Sequence, residues 1–205
     1  MVPDVSIIVT NFNYGKYLPR CLRSCISQTG VTTEIILIDD CSDDPVEEII
    51  KPYADRVRFI RNEANGGVAF SSNVGLKSST ARFFMRVDAD DYISSDMCYI
   101  LMRYLETNHD AFCVSSDYYL VDNQENVIAR KYARADNVSC GILYRKDLLL
   151  EMGGYNESFR HREEEELRKR LGEAYKIHHI EIPMYRYRMH DTNKTKTPEY
   201  KTTQV

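Results

Sequence analysis

The chain has 205 residues, long enough for a single domain that buries roughly 70% of its unfolded surface without metal or disulfide staples. Hydrophobic residues make up 43% and charged residues 28%, which excludes wholesale disorder. With 27 Lys and Arg against 31 Asp and Glu the net charge is −4, which excludes a protein built mainly to neutralise a nucleic-acid backbone.

Apolar runs such as Ile35–Ile38 are far shorter than the about 20 residues of a membrane-spanning helix. Met1-Val2-Pro3-Asp4 lacks the basic and apolar regions of a signal peptide. Cys21, Cys25, Cys41, Cys98, Cys113 and Cys140 form no CxxC pair, so reduced and mostly buried thiols in a cytoplasmic protein are expected.

The first 110 residues alternate strand and helix signals. Val5–Val9 is a compact β-branched strand, followed by the turn-rich Asn11–Gly15. Apolar residues at helical spacing run from Lys16 to Gln28. Ile35–Ile38 is a second buried strand, ending in Asp39-Asp40. A helix spans Val46–Tyr53, with Pro45 suiting its first turn, and Val57–Ile60 is a third strand. Asn65-Gly66-Gly67 breaks the chain before a helix over Val68–Lys77, and Arg82–Val87 is a fourth strand entering Asp88-Ala89-Asp90-Asp91.

Such alternation predicts βαβ units, an α/β fold with a mostly parallel sheet and helices on both faces. Ligands of these sheets bind beyond the carboxyl ends of the strands. Three of those ends are polar or acidic here: Thr10–Asn13, Asp39-Asp40 and Asp88–Asp91.

Further on, a helix over about 95–108 leads to the alternating stretch Ala111–Leu120 and a polar turn at Asp122–Asn126, which predicts a hairpin. Ser139–Tyr144 reads as a strand, Lys146–Met152 as a short helix, Glu163–Leu171 as a charged helix and Ile182–Met189 as a late strand. No internal repeat or long linker divides the chain. One domain is expected over 1–205, with a nucleotide-binding half over about 1–92, an acceptor half over about 93–190 and a polar tail over 191–205.

Clustered carboxylates repel one another and invite a cation. Hard oxygen ligands at the density of Asp88-Ala89-Asp90-Asp91 suit Mn2+ or Mg2+ rather than zinc. The same residues also read as an acidic turn capping the next helix. Neither GxxxxGK[ST] nor GxGxxG occurs, so a nucleotide must be held by metal, side chains and rings such as Phe12. His190, after an apolar-basic strand, offers a neutral nitrogen to a metal or diphosphate, or is simply an exposed histidine before the tail. Glu163–Glu166 precedes Arg168-Lys169-Arg170, giving the i,i+4 pairs Glu164–Arg168, Glu165–Lys169 and Glu166–Arg170. The run reads either as a solvated helix face or as the source of a general base.

Together these segments resemble the family 2 glycosyltransferases, inverting enzymes of the GT-A fold, over about residues 5–195. Val5–Asn13 with Tyr17-Leu18 resembles the family's opening strand, and Glu34–Asp43 its second strand with paired aspartates. Asn62–Ala69 with Asn73-Val74-Gly75, Asp88–Asp91, Gly153–Glu157 with the glutamate run, and Tyr187–His190 are similar to its later motifs. The resemblance implies that Thr10, Asn11, Phe12, Asp40 and Gly67 hold the nucleotide and that Asp88 and Ala89 lie near the ribose or donor sugar. It further implies that Asp90 and Asp91 bind the metal and that Glu164, beside Glu163, takes the acceptor proton. The family usually shows Glu-Asp where this chain has Glu163-Glu164, and many members carry a basic residue where Ser72 stands.

The implied function is transfer of a sugar from a nucleotide donor, a UDP-sugar favoured, to a glycan, lipid-linked or small-molecule acceptor, in the cytoplasm or at the inner face of a membrane. A non-catalytic nucleotide-sugar-binding module is the alternative. A DxD phosphatase is a further one, although that motif normally follows the first strand.

Overall fold

A computed structural model describes residues 2–136, 139–172, 175–193 and 196. Among the described residues nine strands form one sheet of order β3-β2-β1-β4-β8-β6-β9-β5, with β7 also paired to β6. Strands β1 (Val5–Asn11), β2 (Thr33–Asp39), β3 (Val57–Arg61) and β4 (Phe83–Asp88) are parallel, as the alternation predicts. Beyond β4 the sheet turns mixed. Strand β8 (Leu143–Arg145) runs antiparallel to both β4 and β6 (Ala111–Val121), and β9 (Lys176–Arg188) runs parallel to β6.

Side chains alternate across the strands and build two apolar layers. Val5, Ile7 and Val9 face α1 (Leu18–Ile26) and α4 (Met97–Thr107), meeting Cys21, Leu22, Met97 and Leu101. On the other face Ile8, Ile36 and Phe84 pack with Leu76 of α3 (Val68–Ser78), Leu149 of α5 (Lys146–Glu151) and Leu167 of α6 (Glu163–Leu171). The approach of α3 to β1 requires Gly75, where a Cβ would lie 2.3 Å from Ile8 Cγ2.

Several expected elements differ in extent. The second helix is α-helical only over α2 (Val46–Ile50), then tightens to a 3₁₀ turn at Lys51–Tyr53. Pro52 has no N–H to continue the ladder. Ser139–Ile142 lies outside β8 because Gly141 takes φ +69°, leaving a loop over Arg86. Strand β9 begins at Lys176 rather than Ile182, since its two histidines are satisfied within the fold. His178 Nδ1 meets Tyr104 Oη at 3.0 Å and His179 Nδ1 meets Ser115 Oγ at 2.6 Å. The two-residue β5 (Tyr92–Ile93) pairs with β9, and the expected hairpin forms as β6 with β7 (Val127–Lys131). Most of the tail expected over 191–205 lies outside the described residues.

Candidate active site

A cavity of about 290 Å³ opens where the carboxyl ends of β1, β2 and β4 converge. Thr10, Asn11, Phe12, Asp40, Asp88 and Asp90 line it on the side of the parallel strands. Arg160, His161, Arg162 and Glu163, at and just before the start of α6, line it as well.

The β1 and β2 ends are fastened by paired carboxylates with separate tasks. Asp39 is fully buried; it accepts bonds from Asn11 Nδ2 (2.8 Å), Ser42 Oγ (2.5 Å) and Arg61 Nη1 (2.9 Å). Asp40 faces the cavity and holds the glycine segment. Its oxygens accept the N–H groups of Gly66 (2.9 Å) and Gly67 (2.8 Å) and the amide of Asn62 (2.8 Å). Gly67 caps α3 at φ +88°, a conformation that favours glycine. Asn11 lines the cavity, and its Oδ1 is buried with no hydrogen-bond partner among the described residues.

The β4 end carries the acidic group. Asp88 lines the cavity, half-exposed, and accepts the Thr10 hydroxyl at 3.2 Å. Ala89 does not line it; its N–H donates to the Thr10 carbonyl at 3.1 Å and prolongs the β1–β4 ladder. Asp90 is buried at the cavity, with Oδ2 2.8 Å from His190 Nε2. Thr192 Oγ1 meets the other imidazole nitrogen at 2.9 Å, and Tyr14 and Tyr17 flank the ring. His190 is therefore a buried partner of Asp90, not an exposed residue before the tail.

Asp91 is the expected metal ligand that departs from the cavity lining. Its Oδ1 accepts the Arg188 N–H (2.8 Å) and its Oδ2 the Tyr185 hydroxyl (2.7 Å), tying the acidic turn to β9. Burial, with the charges of Asp90 and Asp88, pushes the Asp91 carboxyl well above the usual range. Burial and the charge of Asp88 push Asp90 up as well, against the hydrogen bond from His190.

The donor set fits a hard divalent cation. Oxygens of Asp88 and Asp91 and the Cys140 sulfur lie within 4.8 Å of one another. Burial raises the Cys140 thiol well above its ordinary value, as it does the neighbouring Asp91 carboxyl. Of this group Asp88 lines the cavity, as does Asp90 in the same turn.

The glutamate run divides on folding. Arg162 takes φ +60° ahead of α6 and turns the helix start inward, so Glu163 and Glu164 are both buried. Glu163 lines the cavity, and its Oε1 accepts Arg86 Nη1 at 2.7 Å. Glu164, expected as the base, is not in the cavity lining. It accepts the Tyr144 hydroxyl, lies 3.7 Å from Arg168, and its Oε2 is buried without a partner. Burial raises its pKa. Glu166 pairs with Arg170 at 3.1 Å as expected, whereas Glu165 takes Arg162 rather than Lys169.

Sequence reasoning missed Arg86, Tyr14 and the Arg160–Arg162 approach. The signal for Arg86 was a lone arginine at an inward position of an apolar strand.

The family described as Glycosyl transferase family 2 matches residues 6–191. The chain is 39% identical over 110 residues to the uncharacterized glycosyltransferase EpsJ of Bacillus subtilis, covering 53% of this chain and 32% of EpsJ. It is 26% identical over 205 residues to an Escherichia coli chondroitin synthase, covering 94% of this chain and 30% of the synthase. This chain thus spans about a third of the length of these relatives. The crystal structure of S. aureus TarS 1-349 in complex with UDP-GlcNAc superposes with a TM-score of 0.78 at 21% identity, covering 98% of this chain and 62% of that one, and so shares its GT-A fold. A match running from the first strand to the residue after His190 makes this chain a member of glycosyl transferase family 2.

Proposed function

We propose that this domain transfers a sugar, with inversion, from a nucleoside diphosphate donor to an acceptor hydroxyl, assisted by Mn2+ or Mg2+. The observation that carries this reading is one cavity lined both by the strand-end residues Phe12, Asp40, Asp88 and Asp90 and by a glutamate of α6, Glu163. A single displacement needs a nucleotide-holding group and a base in one cavity, because the acceptor must lose its proton as it attacks the anomeric carbon.

Residues up to about 92 would hold the nucleotide and those of about 93–190 the acceptor. Thr10, Asn11, Phe12 and Asp40, with the Gly67 segment, would seat the nucleoside. A uracil N–H would satisfy the orphaned Asn11 Oδ1, and TarS structures in complex with UDP and UDP-GlcNAc support a UDP-sugar. A divalent cation at Asp88 and Asp90 would neutralise charge on the leaving diphosphate. Glu163 would take the acceptor proton as the new bond forms.

A second reading gives the base role to Glu164, which the motif selects. Its unpartnered Oε2 and raised pKa favour it, since a more basic carboxylate is the better proton acceptor. The chondroitin synthase likeness supports a glycan acceptor, with lipid-linked or small-molecule acceptors remaining to be compared with it. No helix among the described residues is long and apolar enough to cross a membrane, and the six cysteines are unpaired, which supports work in a reducing cytoplasm or at the inner face of a membrane.

The test is a panel of UDP-, TDP-, GDP- and ADP-sugars with Mn2+, read by thermal shift and by release of the nucleotide, with product anomeric configuration assigned by NMR. Stabilisation by one donor class and an inverted product support the proposal. Binding without turnover on any acceptor would leave the non-catalytic module.

A further inference from the structure

Arg86 is a charged residue at a core position. It sits on β4 opposite Ile8 of β1, between Phe84 and Asp88 on the same face of the strand, and is 2% exposed. Its guanidinium touches both halves of the cavity. Nη1 donates to Glu163 Oε1 at 2.7 Å on the acceptor side, and Nε lies 3.3 Å from Asp88 Oδ1 on the donor side, without hydrogen-bond geometry. Nη2 donates to the Ser139 carbonyl at 3.0 Å, and the Arg86 carbonyl accepts the Gly141 N–H at 2.8 Å. Ser139 and Cys140 of that loop also line the cavity.

Such a pair is a poor device for stability alone. Apolar residues of similar volume in place of a buried ion pair are often neutral or stabilising, because desolvation offsets the attraction. A structural purpose would be served better by the phenylalanine-like filling seen at Phe84. Arg86 Nη1 also lies 3.5 Å from Ser72 Oγ of α3, so a cation borne on that helix position would reach the same space.

We propose that Arg86 is a positioning residue for sugar transfer. It holds the Glu163 carboxylate aimed into the cavity, and it fixes the Ser139–Gly141 loop so that this carboxylate stays registered against the donor-side aspartates. This rests on the reading of Glu163 as the base. The fork matters as well as the charge. Only a planar guanidinium spans Glu163, Asp88 and the Ser139 carbonyl at once.

The test is a set of variants read for UDP release from a panel of UDP-sugars and for Mn2+-dependent UDP affinity by titration calorimetry. Arg86→Met is expected to lower kcat about 10²-fold, the scale of a lost general base, with UDP affinity within about twofold of wild type. Arg86→Met/Glu163→Gln should be no slower than Glu163→Gln alone, since the arginine acts through the glutamate. Ser72→Arg/Arg86→Met, which delivers the cation from α3, should recover about tenfold or more of the loss, a rescue that repair of the fold alone would not produce. Where Arg86→Met fails to fold, Arg86→Lys keeps the charge without the fork and is expected to cost about tenfold in kcat.

Wild-type kcat in Arg86→Met, or in Arg86→Lys where Met does not fold, overturns the proposal. Additive losses in the double variant overturn it too, as does a parallel fall in UDP affinity, which would make Arg86 a donor ligand. The underlying reading fails separately. If Glu163→Gln retains wild-type kcat, Glu163 is not the base; if Glu163→Gln is slow and Arg86→Met is not, only the role of Arg86 falls.

Discussion

His190 Nε2 lies 2.8 Å from Asp90 Oδ2, joining residues a hundred positions apart in the chain. The imidazole is held at its other nitrogen by Thr192 and contacted by the rings of Tyr14 and Tyr17. A histidine so placed orients the carboxylate that faces the cavity, and partners of metal ligands typically change metal affinity about 10–100-fold when removed. His190→Ala is therefore expected to weaken Mn2+-dependent UDP binding by at least about tenfold in calorimetry. An unchanged affinity would reduce His190 to packing.

Asp90 itself should matter more. Asp90→Ala is expected to abolish most of the Mn2+-dependent gain in UDP affinity, while circular dichroism and the melting temperature stay close to wild type. Wild-type protein that binds UDP equally well with and without chelator would remove the metal from the account.

The acidic turn also makes stability depend on pH. Burial and the neighbouring aspartates raise the Asp91 pKa in the folded state. A carboxylate raised on folding contributes stability that is present below its unfolded pKa and lost as pH rises through the folded value. Asparagine at this position can keep the acceptor for Arg188 N–H and still bond the Tyr185 hydroxyl, without the charge. In chelator, Asp91→Asn should melt above wild type at about pH 8, and the gap should narrow toward about pH 5.5 as Asp91 protonates. A gap that does not move with pH would mean that the charge is not what the substitution relieves.

Much of the first half was legible because β1, β2 and β4 are buried on both faces and read as largely apolar runs, with helices at their own period between them. The convergence of Thr10, Asp40 and Asp88 followed from the parallel topology alone. What escaped was set by distant partners. β9 hides its first half behind His178 and His179, whose polarity is cancelled by Tyr104 and Ser115 on other elements. The choice between Glu163 and Glu164 depends on Arg86, 77 residues away, and no local pattern encodes that contact.

Base selection tests the nucleoside wall. Asn11 Oδ1 is an unpartnered acceptor, and Asp40 holds the Gly66-Gly67 backbone that shapes the pocket. UDP is expected to bind more tightly than ADP in Mn2+, and Asp40→Asn to weaken UDP about tenfold by presenting an amide N–H to the Gly67 N–H, leaving a buried donor unsatisfied. A clear preference for a purine diphosphate would show that the wall recognises another base.

The chemistry turns on two adjacent glutamates that α6 sends in different directions. Glu163 reaches the cavity and carries an arginine partner. Burial raises the Glu164 pKa against Arg168 and the Tyr144 hydroxyl, but Glu164 is absent from the cavity lining and sits on Tyr144 of the second apolar layer. Reach precedes basicity in proton transfer, since a base must lie within hydrogen-bond distance of the hydroxyl it deprotonates. Glu163→Gln should therefore lower kcat by about 10²-fold or more with donor affinity nearly unchanged, and Glu164→Gln should be milder. Turnover measured for both variants with the same donor and acceptor decides between them. An inactive Glu164→Gln beside an active Glu163→Gln would assign the proton to the buried neighbour and require α6 to rotate its first turn when the acceptor binds. Wild-type rates in both would reduce the run to a buried helix start without a catalytic role.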